Sequence, residues 1–266
     1  MYFCIMNFYE LSRKLFGYFI PTMCVECGEF GNNLCNKCAA GIKLIGYQFC
    51  PNCRVKSNNG MFCSPFCTEK FLDGRECFLD GIIVCAHYEK NSVIEKLITR
   101  FKYKFSDEIK SILCPLLNDT LENLRSSNSN SSDVDTASNS NFDFVIPVPL
   151  HSKREKMRGF NQSEILANSI HSQSQSPDEG IKKLNILKRK YNTFPQAKLD
   201  RRGRLVNLTN AFELKNPDDS KAHDYHNKSF LIIDDVCTTG STLNECARAL
   251  QPLHPKKIYG LVLARG

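Results

Sequence analysis

Eight of the fourteen cysteines fall between Cys24 and Cys67, at a spacing that no ordinary hydrophobic core requires. They read Cys24-x2-Cys27, Cys35-x2-Cys38, Cys50-x2-Cys53 and Cys63-x3-Cys67. A CxxC turn presents two thiolates to one side of a metal, and two such turns complete a tetrahedron that suits zinc. Two structural zincs are therefore expected, one held by Cys24, Cys27, Cys35 and Cys38, the other by Cys50, Cys53, Cys63 and Cys67. Gly28 fits the tight turn of the first knuckle, whereas the second quartet closes less regularly. The competing readings are buried structural thiols, a redox CxxC and an iron–sulfur cluster, which uses the same ligand type. A site closed by four cysteines leaves no open coordination position, so its role is structural or docking rather than catalytic. Cys4, Cys77, Cys85, Cys114, Cys237 and Cys246 are scattered and read as small apolar fillers.

The 266 residues are 42% hydrophobic and 24% charged, enough for one large core with a small satellite unit. A net charge of +7 permits anionic partners without demanding them. So many cysteines without an export signal point to a reducing, cytoplasmic setting. Residues 1–20, MYFCIMNFYELSRKLFGYFI, carry Arg13 and Lys14 inside the apolar stretch, unlike a signal peptide. They read as an amphipathic helix packed on the body, with association at a membrane surface as the alternative, and no run is long enough for membrane insertion.

Composition separates a Cys-, Gly- and Asn-rich unit over 21–70 from a larger region over 78–266. In the latter, strand-like segments (81–89, 143–149, 230–234, 258–264) alternate with helix-like ones (92–105, 107–124, 162–171, 241–250), with a break expected at Pro115. This alternation implies an α/β fold with a mainly parallel sheet flanked by helices. The tract SSNSNSSDVDTASNSN (126–141) is too polar to offset chain entropy and reads as a disordered insert. SQSQSPDEG (172–180) reads as an exposed loop.

The chemistry concentrates in FLIIDDVCTTGST (230–242). A buried strand runs into Asp234 and Asp235, and then into a hydroxyl-rich turn at the start of a helix. Thr238, Thr239, Gly240, Ser241 and Thr242 would place free N–H groups and hydroxyls around an anion, with Gly240 permitting close approach. The turn lacks both the Lys of a Walker loop and the glycines of a dinucleotide fingerprint. Two carboxylates would repel a phosphate unless another group lay between. A ribose does this, donating its hydroxyls to the acids while its 5′-phosphate occupies the turn; a Mg²⁺ bridge is the other arrangement. On the plainest reading the acids only cap the turn.

Four apolar residues, two acids and TTGST resemble the PRPP-binding motif of type I phosphoribosyltransferases. VIPVPLHSKREKMRGFNQSEILA (145–167) is similar to the VPVP…RGFNQ…LA signature of the ComF/GntX family. KRKYNTFPQAKLDRRGRLVNLTNAF (188–212) and IEKLITRFKYK (94–104) resemble further segments of that family, and the CxxC pairs resemble its amino-terminal zinc ribbon. Pro195 and the His254-Pro255 pair depart from the family pattern, and the Ser/Asn tract has no counterpart in it.

The resemblance implies a type I phosphoribosyltransferase fold with a small zinc-ribbon domain. It implies that Asp234 and Asp235 hold the ribose hydroxyls of PRPP, that 238–242 hold its 5′-phosphate, and that Mg²⁺ accompanies the pyrophosphate. The basic run Lys153, Arg154, Lys156 and Arg158 lies where the pyrophosphate loop would be, with Arg158 as the principal cation and Asn161 and Gln162 orienting the loop, or else is a solvated helix start. Thr193, Gln196, Arg204 and Asn207 would belong to a flexible loop closing over substrate. His151 is the nearest histidine, either a general base or merely solvated. The incoming acceptor is unspecified.

Residues 182–204 hold nine Lys or Arg against one acid, Asp200, with Tyr191 and Phe194 interleaved. That pattern suits an anion-binding flap, single-stranded DNA or a solvated surface. Through the family's association with DNA uptake, single-stranded DNA and a competence helicase become expected partners. Two functions follow: a PRPP-dependent transferase, or a non-catalytic nucleotide-sensing accessory that meets DNA or a helicase.

Overall fold

The computed structural model describes residues 22–103, 107–128, 142–171, 180–191, 210–216 and 222–266. The amino-terminal amphipathic helix, most of the Ser/Asn tract and the 172–179 stretch lie outside the described residues.

The cysteine unit comes first. It holds two short helices, α1 (Asn36–Ala39) and α2 (Pro65–Phe71), the second capped by Ser64, whose hydroxyl accepts from the Cys67 N–H. Beyond it run β1 (Gly81–His87), α3 (Val93–Tyr103), α4 (Asp107–Asn128), β2 (Phe144–Pro147), α5 (Ser152–Arg158) and α6 (Gln162–His171). The short strands β3 (Lys182–Lys183), β4 (Leu187–Arg189) and β5 (Phe212–Leu214) follow, then α7 (Ala222–Tyr225), β6 (Ser229–Cys237), α8 (Ser241–Leu250) and β7 (Lys257–Arg265).

Five strands form one sheet in the order β1-β7-β6-β2-β3, and every pairing is parallel. Near-continuous apolar runs such as Phe230–Ile233 and Leu261–Ala264 are what a sheet buried on both faces requires. On one face, Leu97 and Phe101 of α3, Leu113 and Leu117 of α4 and Leu166 of α6 pack against Leu231, Ile233 and Leu263. On the other, Leu243, Cys246 and Leu250 of α8 meet Ile232 and Val262, beside the antiparallel pair β4–β5 with Leu187 and Phe212.

Three expectations need correction. Helix α4 runs unbroken through Pro115 to Asn128. Pro115 lies on the exposed side, where solvent can reach the Ser111 carbonyl that loses its N–H partner. The first residues assigned to the polar insert, 126–128, are therefore helical. Strand β6 continues past Asp234 to Cys237, because β7 pairs with it as far as Cys237 opposite Arg265. The two acids thus sit within the strand's last turn of pleat rather than beyond its end.

Strand β1 is the sheet's edge, and the cysteine unit covers it. Ile45 N–H donates to the Cys85 carbonyl at 2.9 Å, and His87 N–H to the Lys43 carbonyl at 2.9 Å. Between them, the Gln48 amide mimics a strand partner, donating to the Val84 carbonyl at 3.1 Å and accepting from the Val84 N–H at 2.9 Å. Near the other end, Gly60 (φ +73) presses so close that a Cβ there would lie 2.2 Å from the Ile82 oxygen. The unit is joined to the sheet by main-chain pairing along the strand, not merely tethered to it.

Candidate functional site

Both cysteine quartets assemble. In each, the four sulfurs lie within 4.8 Å of one another. Cys24 to Cys35 is 3.9 Å and Cys27 to Cys35 is 3.8 Å; Cys53 to Cys63 and Cys63 to Cys67 are both 3.4 Å. A zinc with bonds of about 2.3 Å spaces its sulfurs roughly 3.8 Å apart, so the first quartet matches that tetrahedron and the second is slightly compressed. A disulfide would need sulfurs about 2 Å apart, and these cysteines are free.

The thiols show why a cation suits them. Burial raises the Cys24 thiol, but the N–H groups of Cys27, Cys35 and Glu26 more than offset this and bring it down to about 6. Cys38, facing Cys35, is pushed up to about 12. In the second quartet the Asn52 side chain and Cys63 lower Cys67 to about 6, whereas Cys67 and Cys53 push Cys63 up to about 12. Four thiolates crowded together retain protons unless a divalent cation replaces them. The residues fit zinc.

The second centre lies at the carboxyl end of the parallel strands, where open α/β sheets bind ligands. Asp234 accepts from the Ser163 hydroxyl at 3.0 Å. Its Oδ1 also accepts from the Asp235 N–H at 2.9 Å. Asp235, buried, accepts from Gln162 Nε2 at 3.1 Å and pairs with Lys102 Nζ at 3.1 Å. Arg158 in turn donates from a terminal nitrogen to Gln162 Oε1 at 3.0 Å and lies 5.7 Å from the Tyr103 ring centre. Thus Arg158, Gln162, Asp235 and Lys102 form one chain of contacts. Burial, then the neighbouring Asp235 charge, pushes the Asp234 carboxyl up to about 7, although Lys102 pulls the other way.

The hydroxyl-rich turn follows directly. Gly240 (φ +82) is the N-cap of α8 and supplies no side-chain cap, so the first-turn N–H groups rely on their surroundings. Thr239 and Ser241 hydroxyls are 2.7 Å apart, Thr238 is exposed and Thr242 half-buried. A Cβ at Gly240 would lie 2.4 Å from Phe71 Cζ, so the last residue of α2 closes one side of the turn.

The basic run has a different form from the expected loop: Ser152–Arg158 is helical, and Gly159 (φ +82) ends it. His151 caps this helix, its Nδ1 accepting from the Lys153 N–H at 3.2 Å, which gives it a structural task. Asn161 likewise caps α6: its Oδ1 accepts from the Ser163 N–H at 3.1 Å, and its Nδ2 donates to the Val148 carbonyl at 3.0 Å. Lys153 and Lys156 remain exposed, while burial and the neighbouring Arg158 lower Arg154. Thr193, Gln196, Arg204 and Asn207 lie outside the described residues.

Sequence reasoning gave no role to Lys102, Tyr103, Ser163 or Arg189. Lys102 and Tyr103 stand inside the IEKLITRFKYK segment, whose family likeness was the available signal. Arg189 is lowered by burial and by Arg154, and raised by Asp234, so it belongs to the same electrostatic neighbourhood. Part of the Lys-rich strip is neutralised by acids outside it: Lys183 pairs with Glu164 at 3.1 Å, and Lys188 and Lys190 both pair with Glu213.

Comparison with known proteins agrees with this geometry. Residues 163–266 match the family described as phosphoribosyl transferase domain. Competence protein F of Haemophilus influenzae is 27% identical over 245 residues, covering 89% of this chain and 99% of that protein. DNA utilization protein YhgH of Shigella flexneri is 28% identical over 241 residues, 87% of this chain and 91% of that protein. Competence protein ComFC of Bacillus subtilis is 25% identical over 226 residues, 82% of this chain and 77% of that protein. These matches cover most of the chain and support a ComF-like protein with a phosphoribosyltransferase-like fold.

Proposed function

We propose that this protein binds the ribose 5-phosphate portion of PRPP and acts as a phosphoribosyltransferase in the handling of DNA taken up by the cell. The observation that carries the reading is the placement of Asp234 and Asp235 beside the Thr238–Thr242 turn at the carboxyl end of the sheet. The ribose hydroxyls donate to the two carboxylates, and the 5′-phosphate accepts N–H groups and hydroxyls at the start of α8. Arg158, Arg154 and Lys153 face the pyrophosphate. Magnesium belongs to the substrate in this reading, carried by pyrophosphate and ribose oxygens.

Transfer breaks the bond from ribose C1 to the pyrophosphate oxygen, which leaves with the electron pair. A bond from C1 to the acceptor's nucleophilic atom forms, and that atom's proton passes to solvent. Catalysis then consists of positioning and of stabilising charge on the leaving group. The DNA role comes from the names borne by the relatives, competence protein and DNA utilization protein.

A second reading, a nucleotide-sensing accessory that contacts single-stranded DNA or a helicase, is favoured by one feature. Among the described residues His151, the histidine nearest the site, is engaged as a helix cap. Pyrophosphate release from PRPP, measured with candidate acceptors, tests the first reading against an Asp234→Asn, Asp235→Asn variant. Thermal stabilisation by PRPP without pyrophosphate release under any acceptor supports the accessory. No stabilisation by PRPP or ribose 5-phosphate defeats both.

A further inference from the structure

A cavity of about 280 Å³ lies between the second cysteine quartet and the carboxyl ends of β1 and β7. Ile45, Phe49 and Val84 give it apolar and aromatic walls; Arg54, His87 and Arg265 bring it basic groups; Gln48 completes the lining. No carboxylate lines it. The Gln48 amide is committed to the Val84 main chain, so the polar chemistry left for a guest is cationic.

Arg265 is the central group. One terminal nitrogen donates to the Pro51 carbonyl, and the guanidinium lies 5.3 Å from the Phe71 ring centre. Its Nε is buried with no hydrogen-bond partner among the described residues. Burial, and then Arg54, weaken its hold on its proton. Arg54 projects from a left-handed position (φ +64) in the turn that follows Cys53. Among the described residues, neither Arg54, His87 nor Arg265 forms an ion pair with a carboxylate. A zinc tetrathiolate on the second quartet would add negative charge behind the turn, but the cavity wall itself holds no anion. The partly desolvated Arg265 guanidinium without an anion is costly, and a guest carboxylate would relieve that cost.

The cavity's position gives it meaning. Val84 is in register with Val262, and Val262 with Asp234. The cavity therefore stands two strands, roughly 10 Å, from the acid pair at the same end of the sheet. Phe71 touches both regions, lying on Gly240 and under Arg265. We infer that this cavity binds a small planar aromatic carboxylate, with the ring between Ile45, Val84 and Phe49 and the carboxylate on Arg265 and Arg54. Its further role as the acceptor's pocket rests on the ribose-phosphate reading; binding itself does not.

The test is ligand-observed NMR on the zinc-loaded full chain, with benzoate, its neutral analogue benzamide and phenyl phosphate as probes. Benzoate should bind at least about tenfold more tightly than benzamide, the worth of one charge-assisted contact. Arg54→Gln and His87→Gln, both at exposed positions, should each weaken benzoate several-fold while leaving benzamide unchanged. Because Arg265→Gln would also lose the Pro51 and Phe71 contacts, those two variants keep the test decisive if it fails to fold. Asp234→Asn should bind benzoate as the unaltered chain does, which separates this cavity from the acid pair. Equal affinity for benzoate and benzamide, or benzoate binding indifferent to both variants, overturns the inference. Tighter binding of phenyl phosphate than of benzoate, with benzoate displaced by an oligonucleotide, overturns it in favour of a nucleic-acid phosphate contact.

Discussion

The Phe71 ring stands so close to Gly240 that a Cβ built on that glycine would lie 2.4 Å from Phe71 Cζ. A helix of the metal-binding unit thereby forms part of the wall of the hydroxyl-rich turn, and the two halves of the molecule meet where the ligand is expected.

Gly240→Ala should lower stability by about 1–2 kcal/mol from its left-handed φ alone, with a further loss from the clash. The protein should also lose the thermal stabilisation given by ribose 5-phosphate. Adding Phe71→Leu should recover the steric part only, giving a non-additive double-mutant cycle by denaturant melts. Strictly additive effects would show that the contact carries no energy.

Native mass spectrometry should find two zinc ions per chain. Cys24→Ser should retain one, and Cys67→Ser should retain the other. Chelation should lower the melting temperature in both variants. A chain with no metal, or an iron–sulfur absorption band, would contradict the zinc assignment.

Asp234 makes stability depend on pH. Its carboxyl sits at about 7 when folded, against an ordinary value of 3.8. Below the lower value it is protonated in both states and costs nothing. As pH rises through that window the unfolded chain ionises first, so folding stability falls until about pH 7 and then levels. Asp234→Asn should abolish most of this decline and raise the ligand-free melting temperature at pH 8 by a few degrees, as about 1 kcal/mol would. Ribose 5-phosphate binding should strengthen over the same window, since an ionised carboxylate is the better acceptor. A melting temperature that rises from pH 5 to 8 in the unaltered chain but not in the variant would refute this.

Lys102 is the cation nearest the buried carboxylate of Asp235. Lys102→Met should cost about 1–3 kcal/mol, because it strands a charge rather than because the pair is strong. Combining it with Asp235→Asn should restore much of the loss. An unchanged melting temperature in the single variant would show that solvent already screens the pair.

Helices α6 and α8 begin and end where the sequence pattern placed them, over 162–171 and 241–250. The parallel sheet was legible for a similar reason, as its buried runs are continuous. The true end of β6 was not, since Asp234 and Asp235 look like strand breakers and only pairing with Val262–Arg265 carries the strand past them. The β4–β5 pair was hidden because its partners lie more than twenty residues apart in sequence. Of the site, the acids and the turn could be read directly. Lys102 and Ser163 could not, because their roles arise only when α3 and α6 pack on the same strand end.

The hydrogen bonds of Lys43, Ile45 and Gln48 along β1 carry a further consequence. That strand is apolar from Gly81 to Ala86, and the cysteine unit occupies its outer row of donors and acceptors. Losing the metal frees that row as well as loosening a small unit, and a bare hydrophobic border of this kind recruits other chains. Chelation of the metal should therefore promote self-association, and sedimentation of the chelated chain would show it.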